Sequence, residues 1–397
     1  MKKTLLLFLN LIIIPITLQA QDWVQVASLP DAFNETHHSF AFSLNNIGYI
    51  VAGNSNSGVR DDFYKFDPAT NSWTELTAFP GVARGFAIGD TWEGKAYFGF
   101  GYDDISFLND LWVFDPSDMS WTELASCPCE ARTHPAMIAH NGKVFVGMGG
   151  SSTGNMNDWW EYDIALNTWS QKEDLPSLPR HHPYQFGIDN YVYTGFGHGN
   201  GIFNNWFRYD IEGETWTEVA TLPAEGRVAG TQFSYNGLGY VLSGDGEDHG
   251  SMETGEFWAY DPVLDSWEEL PPHPEGSRWA PASFIIDGEV YIINGTSFNQ
   301  YVTEIYKFNL DSSLSTHTLS NSTIHIYPNP AIDIINIKVP RNLKFEANLY
   351  DLNGRLISSN TNKSVIEIQA LSLGVYLLEI TDLDSGQKVV KKIIKGN

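Results

Sequence analysis

Tryptophan recurs at positions 23, 73, 121, 169, 216 and 267, at intervals of 50, 48, 48, 47 and 51 residues. A period near fifty confines a chain to stacked copies of one small unit, because each copy needs neighbours to cover the faces it cannot bury alone. The copies share an inner grammar. A run of apolar residues and glycine carries an aromatic at Tyr49, Tyr97, Phe145, Tyr193, Tyr240 and Tyr291 and ends in glycine, as in GYIVAG, AYFGFG and VFVGMGG. Thirteen residues before that aromatic stands Arg84, Arg132, Arg180, Arg227 or Arg278, with Thr36 in the first copy. After the glycine come a variable loop and an alternating stretch such as DFYKFDP, DLWVFDP or EFWAYDP, followed by the tryptophan.

This grammar predicts four antiparallel strands per copy, called a to d. Strand a follows the arginine, and Asn141-Gly142, Asn236-Gly237 and Asp287-Gly288 supply the positive-φ turn into strand b. Strand b is almost wholly apolar, as a strand covered on both faces must be. Asp-Pro opens the turn between the alternating strand c and strand d, which begins at the tryptophan. Six a-b-c units can be counted, but the sixth has Ser315 where its tryptophan should stand. The segment WVQVASLP, residues 23–30, has the strand d pattern and no strands before it, so it is expected to complete the sixth sheet and close a ring.

The pattern of arginine, aromatic, glycine, Asp-Pro and tryptophan resembles the kelch repeat. The resemblance covers residues 22–310 and implies an all-β fold, a six-bladed kelch β-propeller closed by the N-terminal strand. Glycine doublets typical of that family survive only as Gly149-Gly150. Residues 1–20, with Lys2 and Lys3 ahead of a short apolar run, read as a cleaved secretory signal, and no later run is long enough for a membrane helix. The propeller is therefore expected over residues 21–310.

Residues 311–323, rich in Ser and Thr, have the composition of a linker. Residues 324–397 then read as short alternating strands, for which a small immunoglobulin-like β-sandwich is expected. Within them IYPNP (326–330), LYDLNGRLI (349–357), LGVYLLEI (373–380) and KKIIK (391–395) resemble the C-terminal sorting domain of the type IX secretion system. That resemblance implies residues 324–397 as partner of the export machinery, and a product secreted from, or displayed on the outer surface of, a Gram-negative bacterium. A carbohydrate-binding sandwich is the alternative, but no aromatic platform for sugars stands out.

Charge narrows the partners. Residues 21–320 hold 12 basic and 41 acidic side chains, a net of −29, which disfavours nucleic acid and anionic lipid. Two cysteines, Cys127 and Cys129, are too few for a disulfide framework. The arginines begin strand a, nearest the axis of a ring, so Arg84, Arg132, Arg180, Arg227 and Arg278 are expected either around its mouth, where forked donors suit a carboxylate, or in pairs with neighbouring loop aspartates. On the same face the b–c loops offer Phe107, Phe203 and Tyr301 as ligand contacts, and His134 and the His181-His182 pair follow the ring arginines, with His37-His38 in the same place in the first copy. No HExxH or cysteine–histidine set is present, so His134 and His182 are expected to line the entrance with hydrogen bonds rather than hold a metal. Asp245, Glu247 and Asp248, in the longest b–c loop, are a calcium candidate without a defined calcium-loop spacing, and no other cofactor is expected.

The expectation for function is a binding module for a protein or glycan. Six-bladed kelch proteins include sialic acid mutarotases, so the resemblance implies an isomerase of acidic sugars as the alternative. A copper oxidase of the galactose oxidase type is not expected, since no matching tyrosine–cysteine site can be placed. No nucleophile elbow, phosphate loop or catalytic carboxylate pair can be named.

Overall fold

A computed structural model describes residues 23–311, 324–339, 343–383 and 386–396. The expected signal segment 1–20 and linker residues 312–323 lie outside the described residues. The chain is nearly all β, built of antiparallel sheets.

Between residues 23 and 311 the copies form six sheets in sequence order. Sheet two is typical: Ile88–Trp92, Lys95–Gly99, Leu111–Asp115 and Ser120–Glu123 pair in that order as strands a to d. Sheet six takes strands a to c from Ala282–Ile286, Glu289–Ile293 and Glu304–Asn309, and its fourth strand is Val24–Ser28. Gln25 lies opposite Tyr306 and Val24 opposite Lys307 in that pairing. Trp23 behaves as the strand d tryptophan of sheet six. Its indole Nε1 donates to Pro271 O of sheet five, as Trp267 Nε1 donates to Ala220 O of sheet four and Trp216 Nε1 to Glu173 O of sheet three.

Consecutive sheets share apolar cores because strand b, apolar along most of its length, must be covered on both faces. Phe42 and Phe63 of sheet one pack with Phe98 and Phe114 of sheet two, and four more such clusters join sheets two to six in turn. A sixth cluster joins Phe284 and Tyr291 of sheet six to Ile50 and Phe66 of sheet one.

A hydrogen-bond circuit follows the same order. The glycine ending strand b donates its N–H to the next sheet's arginine carbonyl: Gly53 to Arg84, Gly101 to Arg132, Gly149 to Arg180, Gly197 to Arg227 and Gly244 to Arg278, at 2.8–3.0 Å. Gly295 of sheet six donates to Thr36 of sheet one at 3.3 Å. These positions need glycine: at Gly149, φ is +95°, and a Cβ would sit 2.7 Å from Thr133 O.

The tail places a three-stranded sheet (His325–Tyr327, Ile334–Lys338, Val365–Glu367) and a four-stranded sheet (Leu356–Thr361, Phe345–Asp351, Gly374–Asp382, Lys388–Lys395) on one core. Ile335, Leu349, Leu378 and Ile393 are among its buried members. Two of these strands, His325–Tyr327 and Leu356–Thr361, turn few residues to the core, against which Ile326 and Ile357 pack partly buried.

Candidate functional site

The five arginines are fully buried in the wall between strands, and none stands free in an opening. Arg132 shows what they do. Its guanidinium grips Asp158 with two bonds of 2.5 and 2.8 Å, donates to Met148 O at 2.9 Å, and turns Nε to Glu130 O. It thus ties the end of strand b to the start of strand c, while its backbone carbonyl receives the glycine of the preceding sheet. Arg84 repeats this with Asp110, and Arg227 pairs with Glu256 at 2.8 Å. In all three sheets the carboxylate also accepts an indole N–H, from Trp112, Trp160 or Trp258. Arg180 meets neutral Asn205 and Ser177 instead, and burial pulls its guanidinium down to about 10. Arg278 donates to Glu304 O and Asn294 O, makes a long contact to Glu275, and lies over the Tyr306 ring.

The other expected contacts are dispersed. Phe203 covers the Arg180 guanidinium, 4.1 Å from ring centroid to carbon, and Phe107 packs on Tyr102. Tyr301 stacks on His37 and donates to Asn56. The calcium candidates point to different partners: Asp245 is buried beside His249, Glu247 accepts from Gly226 N–H, and Asp248 accepts from Gly250 N–H. They do not converge on a common point, because each carboxylate is held by a different partner: the His249 imidazole, the Gly226 N–H of the preceding connection, and the Gly250 N–H of the same loop.

What converges lies two residues beyond each arginine. His38, Phe86, His134, His182, Ala229 and Ala280 occupy one repeat slot, and all six have φ between +49° and +56°. That backbone lets neighbouring sheets bond at this slot: His134 N–H donates to Phe86 O, His182 N–H to His134 O, Ala280 N–H to Ala229 O, and His38 N–H to Ala280 O. Three histidines from sheets one, three and four therefore meet. His38 Nε2 lies 2.8 Å from His182 Nε2, and the rings of His134 and His182 lie 3.5 Å apart. One nitrogen from each of the three falls within 4.8 Å of the other two. Phe86 and Trp279 wall the group, and His38 Nδ1 bonds His37 Nδ1 at 2.6 Å.

Burial, reinforced by the neighbouring imidazoles, holds His38, His134 and His182 well below the usual imidazole range, so all three are neutral near pH 7. His37 and His181 on the rim are pulled down to about 4, first by burial. His134 and His182 were expected to line an entrance with hydrogen bonds; they lie buried beside His38, and among the described residues His134 Nε2 and His182 Nδ1 have no hydrogen-bond partner. Their meeting with His38 was missed, although its signal was readable: His38 stands two residues after Thr36, as His134 and His182 do after their arginines.

The trio borders a chamber of about 70 Å³, shared with Ser39, Ile88, Gln232 and three prolines. A larger cavity of about 530 Å³ is lined by strand a of all six sheets, with Asp90, Gln185 and Thr231 among its polar groups. Three of the b–c loops form short ribbons, Gly150–Ser151 with Gly154–Asn155, His198–Gly199 with Gly201–Ile202, and Thr296–Ser297 with Gln300–Tyr301. Each is bridged to the residue after a ring arginine, for example His181 to His198.

Against this geometry the comparison with known families is specific for one end of the chain. Residues 325–396 match the secretion system C-terminal sorting domain. The match supports export by the type IX secretion system, and hence a secreted or cell-surface product that meets that machinery through its tail. No curated protein matches the chain significantly. Among the described residues no helix is long and apolar enough to cross a membrane. The match stops short of the six sheets, whose resemblance to kelch repeats rests on the pattern of residues.

Proposed function

We propose that the chain is an exported binding protein in which the six sheets close as a six-bladed β-propeller of kelch type and the b–c loop face takes a protein or glycan ligand. The observation that carries this reading is the run of glycine-to-arginine-carbonyl hydrogen bonds, with its sixth member from Gly295 to Thr36. A closed ring gathers six variable loops at one end of a rigid support, the arrangement in which loop faces serve binding. The rim there carries His37, His181, His198, His249 and Tyr301, together with Phe298, which is 58% exposed. Aromatic and imidazole faces at such a rim suit sugar rings and apolar side chains better than anions, since the surrounding domain is strongly acidic. An isomerase for acidic sugars would need guanidinia in the opening, and the five candidates are enclosed and already bonded, so binding is the favoured role.

The test is a glycan-array and exoprotein binding screen with the full secreted chain, repeated with Phe298→Ala/Tyr301→Ala. The expected outcome is a ligand lost by the double variant without loss of thermal stability. A ligand retained by that variant and recovered instead on the isolated tail would overturn the proposal.

A further inference from the structure

We propose that His38, His134 and His182 form a binding site for one late first-row divalent transition metal ion, of which zinc is the natural probe. The site goes beyond a loop-face binding role and does not depend on it.

Three observations carry it. The first is convergence: three imidazole nitrogens from three different sheets lie within 4.8 Å of one another. Nitrogens around a tetrahedral ion with Zn–N bonds of about 2.0–2.1 Å stand roughly 3.3 Å apart, so small side-chain rotations bring the trio to coordination distance. The second is polar frustration. His38 Nε2 and His182 Nε2 face each other at 2.8 Å, so at most one can carry a proton toward the other. His134 Nε2 and His182 Nδ1 are buried with no hydrogen-bond partner. A buried polar atom without a partner costs about 1–3 kcal/mol, and an ion at the centre gives facing lone pairs a common acceptor. The third is orientation. The 2.6 Å contact between His37 Nδ1 and His38 Nδ1 holds the His38 ring in place, and with His38 Nδ1 as the donor its Nε2 lone pair faces the group, the kind of outer support that metal-bound histidines use.

An all-imidazole set selects zinc, copper, nickel or cobalt over calcium and magnesium, which take oxygen ligands. Three protein ligands beside a chamber of about 70 Å³ leave room for a fourth, exogenous donor. No acidic side chain belongs to the convergent group, so the ion would keep its positive charge at the axis of an acidic domain.

The experiment uses the full secreted chain, stripped with chelator and then titrated with Zn(II) or Co(II). One equivalent is expected, with the absorption bands of tetrahedral Co(II) and an X-ray absorption edge fitted by three imidazole nitrogens. His38→Gln and His134→Gln/His182→Gln are expected to weaken Zn(II) binding by at least about 100-fold, because losing even an outer partner of a ligand costs roughly 10–100-fold. His325→Gln, in the sorting tail, is expected to leave binding unchanged. The wild-type absorption spectrum needs no variant to fold and so stands alone as a check. Absence of a bound equivalent, an oxygen-dominated shell, or stoichiometric binding that survives the double variant would each overturn the assignment.

Discussion

Asp158→Asn and Asn205→Asp exchange the partners of two equivalent buried arginines, and the exchange separates a structural role for those arginines from any other. Arg132 has no solvent exposure and gives Asp158 two short bonds, while Trp160 Nε1 gives the same carboxylate a third at 2.8 Å. An amide at position 158 offers one acceptor oxygen, no charge, and an NH2 group facing donors. The single oxygen can replace only one of the two carboxylate oxygens, so at least one buried N–H goes unpaired at about 1–3 kcal/mol, and the bonds that remain lose the carboxylate charge, about 1 kcal/mol more. Breaking a fully buried pair costs about 3–5 kcal/mol, and because the Asp158 side chain is 22% exposed the lower end, about 3 kcal/mol, applies. At roughly 2–4 °C per kcal/mol for a domain of this size, Tm should fall by about 6–12 °C. The reverse change at Asn205 gives Arg180 the carboxylate that Arg84 and Arg132 already have, and should stabilise by about 1 kcal/mol. Calorimetry and urea denaturation read both, with the midpoint moving and the slope unchanged. Should Asp158→Asn lie within about 0.5 kcal/mol of wild type, the latch argument fails.

Two further outcomes follow from other parts of the chain. Burial among the strands that line the larger cavity pushes the Asp90 carboxyl up to about 7, against the pull of bonds from Thr91 and Ala139 N–H. The folded chain then holds a proton that the unfolded chain releases near pH 4, so this group's contribution to stability falls as pH rises from about 4 to 7. Asp90→Asn should therefore gain on wild type in melting temperature between pH 5 and 8, and parallel profiles would exclude the shift. Deleting residues 325–396 should leave the product inside the cell envelope, as read by fractionation, and undiminished secretion would remove the export role from the tail.

The repeat made the six sheets legible, since tryptophan, glycine and Asp-Pro each mark a turn or a strand start that local chemistry demands. It also pointed Trp23 to sheet six, because a strand d without its own a to c has one vacancy to fill. The arginines were harder to place. A guanidinium at the head of an inner strand reads equally as a ligand donor or as a buried tie, and the choice depends on what begins strand c, 26 residues on for Arg84 and Arg132. The acidic or amide residue in NDLW, NDWW and NNWF is that partner, visible in the sequence but not joined to the arginine by any local rule. The convergent histidines escaped for a similar reason. Their convergence depends on three sheets distant in sequence and on a left-handed backbone at a slot that also accepts Phe86, Ala229 and Ala280.

Closure of the ring is the claim from which the loop face and the histidine trio both follow, and a cross-link tests it most directly. Val24→Cys with Lys307→Cys places two thiols on directly opposed residues of the first and last strands, with Cβ atoms about 4.5–5.5 Å apart, while native Cys127 and Cys129 are disulfide-bonded to each other and buried. Treated with a short bis-maleimide, the folded double variant should cross-link within one chain nearly completely, and not after unfolding in urea. A folded protein whose two cysteines stay separately reactive would contradict the ring.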